Sequence, residues 1–168
     1  LKLENGKYIV FTLNRKALIA DKENLGNMIY AMNKAAGNTP IIAVLRNNAK
    51  EVVSQLTAGM ADIHIIDSLP YLEFGYLTAH AMGIITDSGN VAEEATFNNV
   101  PCITLNSYTE HIETVKQGSN ILVGEDADKL EAAIKDMTGN NWKKCSLPDR
   151  WDGRTAERIV HILLNMPG

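Results

Sequence analysis

Residues 84–95 of the chain read IITDSGNVAEEA, and this stretch is the most informative part of the sequence. An apolar run ends in Asp87-Ser88-Gly89, and a helical pattern begins directly after it. We therefore expect a buried strand followed by a tight turn onto a helix. The first N–H groups of a helix are unpaired and its dipole is positive there, so this turn can hold an anion such as a nucleotide phosphate. The alternative interpretation is an ordinary strand-to-helix turn with Ser88 as the capping residue.

The same alternation of apolar runs and helical patterns continues on both sides of this stretch. The predicted strands are residues 8–13, 40–45, 63–66, 83–86, 101–105 and 120–123. The predicted helices are residues 22–36, 49–58, 71–81, 91–97, 110–117, 128–137 and 155–165. Continuously apolar strands that alternate with helices indicate a parallel sheet covered on both faces. We predict a three-layer, doubly wound, Rossmann-like α/β fold with an all-parallel sheet in the order 3-2-1-4-5-6.

Three polar clusters follow predicted strands. They are Asn14-Arg15, residues 87–90 and residues 106–109. In doubly wound sheets, ligands bind beyond the carboxyl ends of the strands. The sequence therefore predicts a binding site at that edge. The polar stretch 139–152 is predicted to be a connection before the last helix.

Length and composition narrow the classes of function. The chain has 168 residues, which is the size of a single domain, so we expect one domain over residues 1–168. A net charge of −4 and the absence of a basic run argue against a nucleic-acid partner. Cys102 and Cys145 have no metal spacing, and Cys102 in its apolar run is expected to be a buried thiol. We expect no metal, no membrane span and a cytoplasmic location.

Several motifs occur in an ordered series along nearly the whole chain. They are residues 8–15 (YIVFTLNR) with 23–25 (ENL), 71–74 (YLEF), 86–95 (TDSGNVAEEA), 109–113 (TEHIE) and 152–159 (DGRTAERI). This series resembles the motifs of one protein family, which occur in the same order. The family's motifs are an opening strand with a His-Arg pair, then Tyr-Leu-Pro-Phe, Thr-Asp-Ser-Gly-Gly-Ile-Gln-Glu-Glu-Ala, Thr-Glu-Arg-Pro-Glu and a closing Asp-Gly-x-Ala-x-Glu-Arg-Ile. That family is the non-hydrolysing UDP-N-acetylglucosamine 2-epimerases, and the chain is similar to their C-terminal domain.

The resemblance implies one half of a glycosyltransferase-B-like fold, in which two Rossmann-like domains face each other across a cleft. UDP or a UDP-sugar would bind mostly to this half. The sugar and the acid–base carboxylates would lie mostly on the N-terminal domain, which this chain lacks. The implied reaction converts UDP-N-acetylglucosamine to its manno epimer by elimination of UDP and re-addition, without a cofactor. The full-length parent protein would then be an isomerase, and it could form a homodimer. The isolated chain is expected to be inactive.

The resemblance also implies roles for individual residues. The diphosphate would lie against Ser88, Gly89 and Asn90, and ribose hydroxyls would donate to Glu94. The remaining candidates are Phe74 beside uracil and Arg15 near phosphate or near an acid across the cleft. Each has a structural alternative, since Glu94 can be a salt-bridged helix acid, Phe74 a core aromatic and Arg15 a surface arginine. Glu93 is expected to point away from Glu94, because adjacent helix positions diverge.

The chain departs from the family pattern at several positions. Asn14 stands in place of a histidine, and Leu45 stands about where a second histidine is usual. Asparagine can hydrogen-bond a phosphate, but it cannot act as a cation or transfer a proton. His111 stands in place of an arginine, and it could donate to a phosphate when protonated or be an exposed loop histidine. Asn14, Glu110 and His111 are therefore additional candidates for the nucleotide site.

Two other functions remain open from the sequence. One is the nucleotide-binding domain of a glycosyltransferase, which would share the architecture. The other is a non-catalytic UDP-sugar-binding or interaction domain that has kept the fold and lost the chemistry.

Overall fold

The computed structural model describes residues 2–167, which form six strands and eight helices. The strands are β1 Ile9–Phe11, β2 Ile41–Val44, β3 Ile63–Ile66, β4 Gly83–Thr86, β5 Cys102–Thr104 and β6 Asn120–Leu122. The helices are α1 Lys16–Ala20, α2 Lys22–Ala36, α3 Asn47–Leu56, α4 Tyr71–Ala79, α5 Gly89–Phe97, α6 Ile112–Lys116, α7 Ala127–Thr138 and α8 Thr155–Leu164.

The strands form one sheet in the order β3-β2-β1-β4-β5-β6, and every neighbouring pair is parallel. The predicted topology is therefore confirmed. Because the strand order reverses between β1 and β4, the loops after these two strands lie side by side at the carboxyl edge. This reversal brings the Asn14-Arg15 cluster next to the turn at residues 87–90.

The sheet is buried on both faces, as the apolar strands predicted. Ile9 and Phe11 of β1 belong to a large apolar cluster that includes Met28 of α2 and Ile134 of α7. The intervening Val10 belongs to a second cluster on the opposite face, together with side chains of α5. Successive strand side chains point to opposite faces, so β1 supplies both cores and the fold has three layers.

Several local features differ from the sequence expectation, and three of them have a local explanation. The helix α1 was not predicted, because five residues with only Leu18 and Ile19 buried are too short to show a helical period. The helix α6 begins at Ile112 rather than at residue 110, because His111 has the non-helical backbone angles φ −99° and ψ 59°. The helix α3 begins earlier than expected, at Asn47, whose φ of 52° is a conformation that asparagine tolerates.

A buried polar network holds the loop before α6 against the sheet. Thr104 Oγ1 donates to Asn120 Oδ1 at 2.6 Å, and Asn120 Nδ2 donates to Thr114 Oγ1 at 3.2 Å. Thr114 Oγ1 in turn donates to the carbonyl of His111 at 2.7 Å. This chain of hydrogen bonds fixes the backbone of His111 relative to the last residue of β5 and the first residue of β6. The neighbouring Cys102 thiol is fully buried, as expected from its apolar run, and burial raises its pKa to about 12.

The connection at residues 139–152 contains no helix or strand, as predicted, and it packs along β6 and α6. Trp142 Nε1 donates to the Ser119 carbonyl at 2.9 Å. Lys143 Nζ donates to the carbonyls of Val115 and Asn120, each at 2.6 Å, and burial lowers the pKa of this amine.

The last helix, α8, has no buried side chain among its described residues. Its apolar side chains remain largely exposed, including Ile159 at 52%, Ile162 at 60% and Leu163 at 62%. Within residues 2–167, every helix falls short of the length and hydropathy that a bilayer crossing requires.

Two glycine substitutions test the packing around α6. A methyl group at Gly118 would lie 2.4 Å from Thr96 Oγ1 and 2.7 Å from the Thr114 carbonyl, which is backbone and cannot move away cheaply. We expect Gly118→Ala to lower the free energy of unfolding by about 1–3 kcal/mol in urea titrations. The matched change Gly75→Ala, where α4 leaves open space, should raise it by about 0.5–1 kcal/mol. Equal effects of the two changes would contradict this account.

Candidate functional site

Asp87, directly after β4, joins three loops at the carboxyl edge of the sheet. Its Oδ2 accepts from the backbone N–H groups of Asn14 at 2.8 Å and Arg15 at 2.6 Å. Its carbonyl accepts from Asn106 Nδ2 at 3.1 Å. Its Oδ1 is buried and has no hydrogen-bond partner among the residues that the structure describes. The loops after β1, β4 and β5 are therefore held as one unit.

The turn onto α5 keeps the Ser88 hydroxyl out of the helix cap. Ser88 has extended backbone angles, and its N–H donates to Thr86 Oγ1 at 3.0 Å. Ser88 thus occupies the N-cap position of α5, as the alternative interpretation predicted, but its side chain makes no capping hydrogen bond. Asn90 lies in the first turn of α5 with a negative φ, so it needs no unusual backbone conformation there.

Two cavities flank this turn. The loop-side cavity has a volume of about 260 Å³ and is lined by Arg15, Gly89, Asn106, Tyr108, Thr109, Glu110 and His111. The helix-side cavity has a volume of about 210 Å³, and its lining includes Thr12, Asn14, Leu69, Phe74, Ser88 and Val91. The first turn of α5 lies between them, with its unpaired N–H groups at the positive end of the helix dipole.

His111 closes one side of the loop-side cavity. Its Nδ1 lies 2.8 Å from Glu93 Oε1, and its side chain is 33% exposed. A methyl group on Gly89 would come within 2.7 Å of the ring Cδ2 and 2.9 Å of Nε2, so the ring rests directly on this glycine. The interpretation of His111 as an exposed loop histidine is therefore wrong, because Glu93 and Gly89 hold its ring in place.

Glu94 faces the other side of α5. The Tyr71 hydroxyl, at the start of α4, donates to Glu94 Oε1 at 3.1 Å. This hydrogen bond raises the pKa of Tyr71, since the carboxylate favours the protonated phenol. Glu93 and Glu94 thus point to different partners, which confirms the expected divergence, although Glu93 also reaches the site.

Arg15 is bound within its own domain. Its Nη1 lies 3.0 Å from Glu125 Oε1 and donates to Asn106 Oδ1 at 3.1 Å and the Leu105 carbonyl at 3.3 Å. Within this domain the acid that pairs with Arg15 is therefore on the loop after β6, and a pairing with an acid across the cleft stays a prediction. The guanidinium still lines the loop-side cavity.

The remaining candidates take different positions. Phe74 is partly buried against the smaller core cluster, and it also lines the helix-side cavity. Glu110 is exposed at the loop-side cavity, and Asn14 lines the helix-side cavity. Leu45 is 1% exposed and belongs to the core. In the described part of the chain, His, Cys, Asp and Glu side chains form no group of three that could hold a metal ion.

Two contributors to the site were missed from the sequence. The sequence places Asp87 within a motif and Asn106 within a polar cluster, but it does not indicate that their side chains join the loops. The available signal for this role was that an aspartate directly follows one strand while a polar loop follows the neighbouring strand. The Glu93–His111 pair had no signal, because its two members are far apart in sequence and lie in separate motifs.

This architecture, with a helix N-terminus facing cavities at the switch point of a parallel sheet, defines the class of nucleotide-binding α/β domains. A sequence model of the family "UDP-N-acetylglucosamine 2-epimerase" matches residues 1–164. The chain therefore belongs to the UDP-N-acetylglucosamine 2-epimerase family.

Individual relatives agree with this assignment. The UDP-N-acetylglucosamine 2-epimerase of Methanocaldococcus jannaschii is 36% identical over 165 residues, covering 93% of this chain and 44% of that protein. Its crystal structure in complex with UDP-GlcNAc and UDP superimposes with a TM-score of 0.74 over 94% of this chain and 45% of that one. The UDP-2,3-diacetamido-2,3-dideoxy-D-glucuronate 2-epimerase of Pseudomonas aeruginosa is 31% identical over 133 residues, covering 79% of this chain and 37% of that protein.

A glycosyltransferase shares the fold at lower similarity. The E. coli heptosyltransferase with ADP-2-deoxy-2-fluoro heptose has a TM-score of 0.59 at 16% identity, covering 84% of this chain and 45% of that one. This similarity supports the glycosyltransferase-B-like architecture and nothing more specific. The chain spans about half the length of the relatives that it matches, and it corresponds to their C-terminal half.

Removal of the Asp87 side chain should release the loops that it joins and lower the stability of the fold. We expect Asp87→Ala to lower the free energy of unfolding by about 2–3 kcal/mol, because two backbone N–H groups lose a charged acceptor. Asp87→Asn should fall between it and the parent, since one amide oxygen remains to accept. Urea denaturation provides the measurement, with the exposed Asp149→Ala as the control. A loss no larger than that of the control would contradict the joining role of Asp87.

Proposed function

We propose that this chain is the UDP-binding half of a UDP-N-acetylglucosamine 2-epimerase-like isomerase. In this proposal, residues 1–168 form a single Rossmann-like domain, and an N-terminal domain completes the cleft in the parent protein. The observation that carries the proposal is the N-terminus of α5, which faces two cavities at the sheet's switch point in a chain that belongs to the epimerase family. A relative's crystal structure with UDP-GlcNAc and UDP supports the ligand class.

The diphosphate would lie at residues 88–90. The N–H of Ser88 is already bonded to Thr86, so the donors left for a phosphate are the N–H groups of Gly89 and Asn90 and the Ser88 hydroxyl. These groups converge on one end of α5, where the helix dipole favours negative charge. The arrangement binds a phosphate without a metal ion.

The nucleoside would extend toward α4. Glu94 faces that helix through its hydrogen bond with Tyr71, and Phe74 of the same helix lines the helix-side cavity. We propose that ribose hydroxyls donate to Glu94 and that uracil lies beside Phe74. Tyr71 can release or share this carboxylate, because its side chain is 72% exposed and held by a single hydrogen bond.

The sugar would project away from this domain toward the missing half. The exposed apolar side chains of α8 offer a surface for a partner, since Ile159, Ile162 and Leu163 have no other cover in the described structure. We propose that the N-terminal domain packs on them. That the parent protein forms a homodimer stays a prediction. We propose a cytoplasmic location together with the isomerase role.

One alternative has specific support. Leu45 is buried in the core and Asn14 is uncharged, so neither position supplies the cation or proton carrier that the family resemblance implies there. These two residues favour a degenerate UDP-sugar-binding domain as the second candidate. The glycosyltransferase alternative rests on fold similarity alone.

Nucleotide binding tests the placement of the phosphate. We expect Ser88→Ala to weaken UDP binding by about 1–2 kcal/mol, which is the range for a hydrogen bond to a charged group and corresponds to roughly 5- to 30-fold in Kd. Isothermal titration calorimetry would measure it. The control is Ser54→Ala, whose hydroxyl bonds the Lys50 carbonyl on α3. UDP binding that is equal in parent and Ser88→Ala would remove Ser88 from the site.

The isolated chain should not convert UDP-N-acetylglucosamine to the manno epimer. Epimerisation needs acids poised at the sugar, and half a cleft cannot exclude water from a reactive intermediate. Proton NMR of the anomeric signals over a day provides the measurement. Turnover by the chain alone would show that the catalytic carboxylates lie on this half. The chain can then be tested joined to its N-terminal domain. Turnover by the joined protein supports the isomerase, whereas UDP binding without turnover supports the degenerate UDP-sugar-binding domain.

A further inference from the structure

The Glu93–His111 pair lies at the proposed phosphate turn without a structural duty that explains it. Both side chains are about one-third exposed, so their mutual contact contributes little to folding. The backbone of His111 is already held by Thr114, and the loop would therefore stay in place without the ring. What the pair does accomplish is to fix the direction of the imidazole.

That direction follows from the two ring nitrogens. The Nδ1 atom faces Glu93 Oε1 at 2.8 Å, so in the neutral ring its proton is on Nδ1 and donates to the carboxylate. The Nε2 atom then carries a lone pair, and it lies over Gly89, the first residue of α5. A phosphate at this turn would meet the lone pair of a neutral ring, but it would meet an N–H donor of a protonated one.

We propose that His111, positioned by Glu93, makes UDP-sugar binding depend on pH, with tighter binding when the imidazole is protonated. This inference rests on the proposed function, because it needs the diphosphate at residues 88–90. Binding would take one proton from solvent onto Nε2, which then donates to a phosphate oxygen. Histidine is the side chain that ordinarily changes charge between pH 5 and 8.

The surrounding charges are compatible with a cationic ring. Glu93 on α5 faces it directly, and Glu110 lines the same loop-side cavity. Arg15 also lines that cavity, but its Nη1 is paired with Glu125. The net surroundings of the ring are therefore acidic when the nucleotide is absent.

The test is the affinity for UDP-N-acetylglucosamine from pH 5.5 to pH 8, measured by calorimetry on the whole chain. This probe is preferable to UDP, because a terminal phosphate has its own second ionisation near pH 6 and would add a pH dependence. The parent should lose about tenfold in affinity across this range, in line with a charged hydrogen bond. Titrations at one pH in HEPES and in Tris should reveal proton uptake through their different enthalpies.

Four variants separate the roles of the two side chains. His111→Gln should bind weakly at every pH, whereas His111→Arg should bind tightly at every pH because its charge is permanent. Glu93→Ala should lose most of the gain in affinity that the parent shows at low pH. Glu93→Gln should recover part of this gain, because its amide oxygen can still accept from Nδ1. The control is His80→Gln, since His80 caps α4 at the opposite, amino edge of the sheet and should leave the profile unchanged.

The outcomes distinguish this inference from the proposed function. UDP-N-acetylglucosamine binding with a flat pH profile, or a profile that His111→Gln leaves intact, overturns the role of His111 and leaves the UDP-binding half standing. Absence of binding at both ends of the pH range overturns both proposals.

Discussion

The carboxylate of Asp87 is the constraint on which the site depends. A doubly wound sheet brings the loops after β1 and β4 side by side, but adjacency alone does not fix their separation. Asp87 Oδ2 does so by accepting from two consecutive backbone N–H groups of the β1 loop. An acceptor-only group suits this position, because it satisfies donors that a tight loop would otherwise leave unpaired. The start of α5 is thereby held at a fixed distance from Asn14 and Arg15.

The geometry of α5 then distributes the functions around it. Adjacent positions on a helix point in different directions, so Glu93 reaches the loop before α6 while Glu94 reaches α4. Gly89 lets the His111 ring approach the helix end, and this close contact, rather than an unusual φ, is what the glycine provides. The turn is therefore bounded by the Glu94 carboxylate on one side and the His111 imidazole on the other.

The sequence predicted the sheet order and the edge at which the polar loops meet, because both depend on patterns that are local or topological. Continuous apolar strands indicate a parallel sheet, and a parallel sheet determines the edge at which ligands bind. The short helix α1 escaped detection, since five residues carry too little periodicity. The placement of the His111 ring was missed for another reason. Its orientation depends on Glu93 and Gly89, whose contacts arise only after the chain has folded.

The carboxylates around the turn favour binding over chemistry in this half. A general base must be within reach of the proton that it removes and must not be committed elsewhere. Asp87 holds backbone N–H groups, Glu93 holds His111, and Glu125 pairs with Arg15. Glu94 already accepts from Tyr71, and ribose hydroxyls would compete for the same oxygen. Apart from the exposed Glu110 at the loop-side cavity, the acids beside the proposed phosphate site thus have positioning duties. This arrangement fits the proposal that this half holds UDP while the opposite wall of the cleft acts on the sugar.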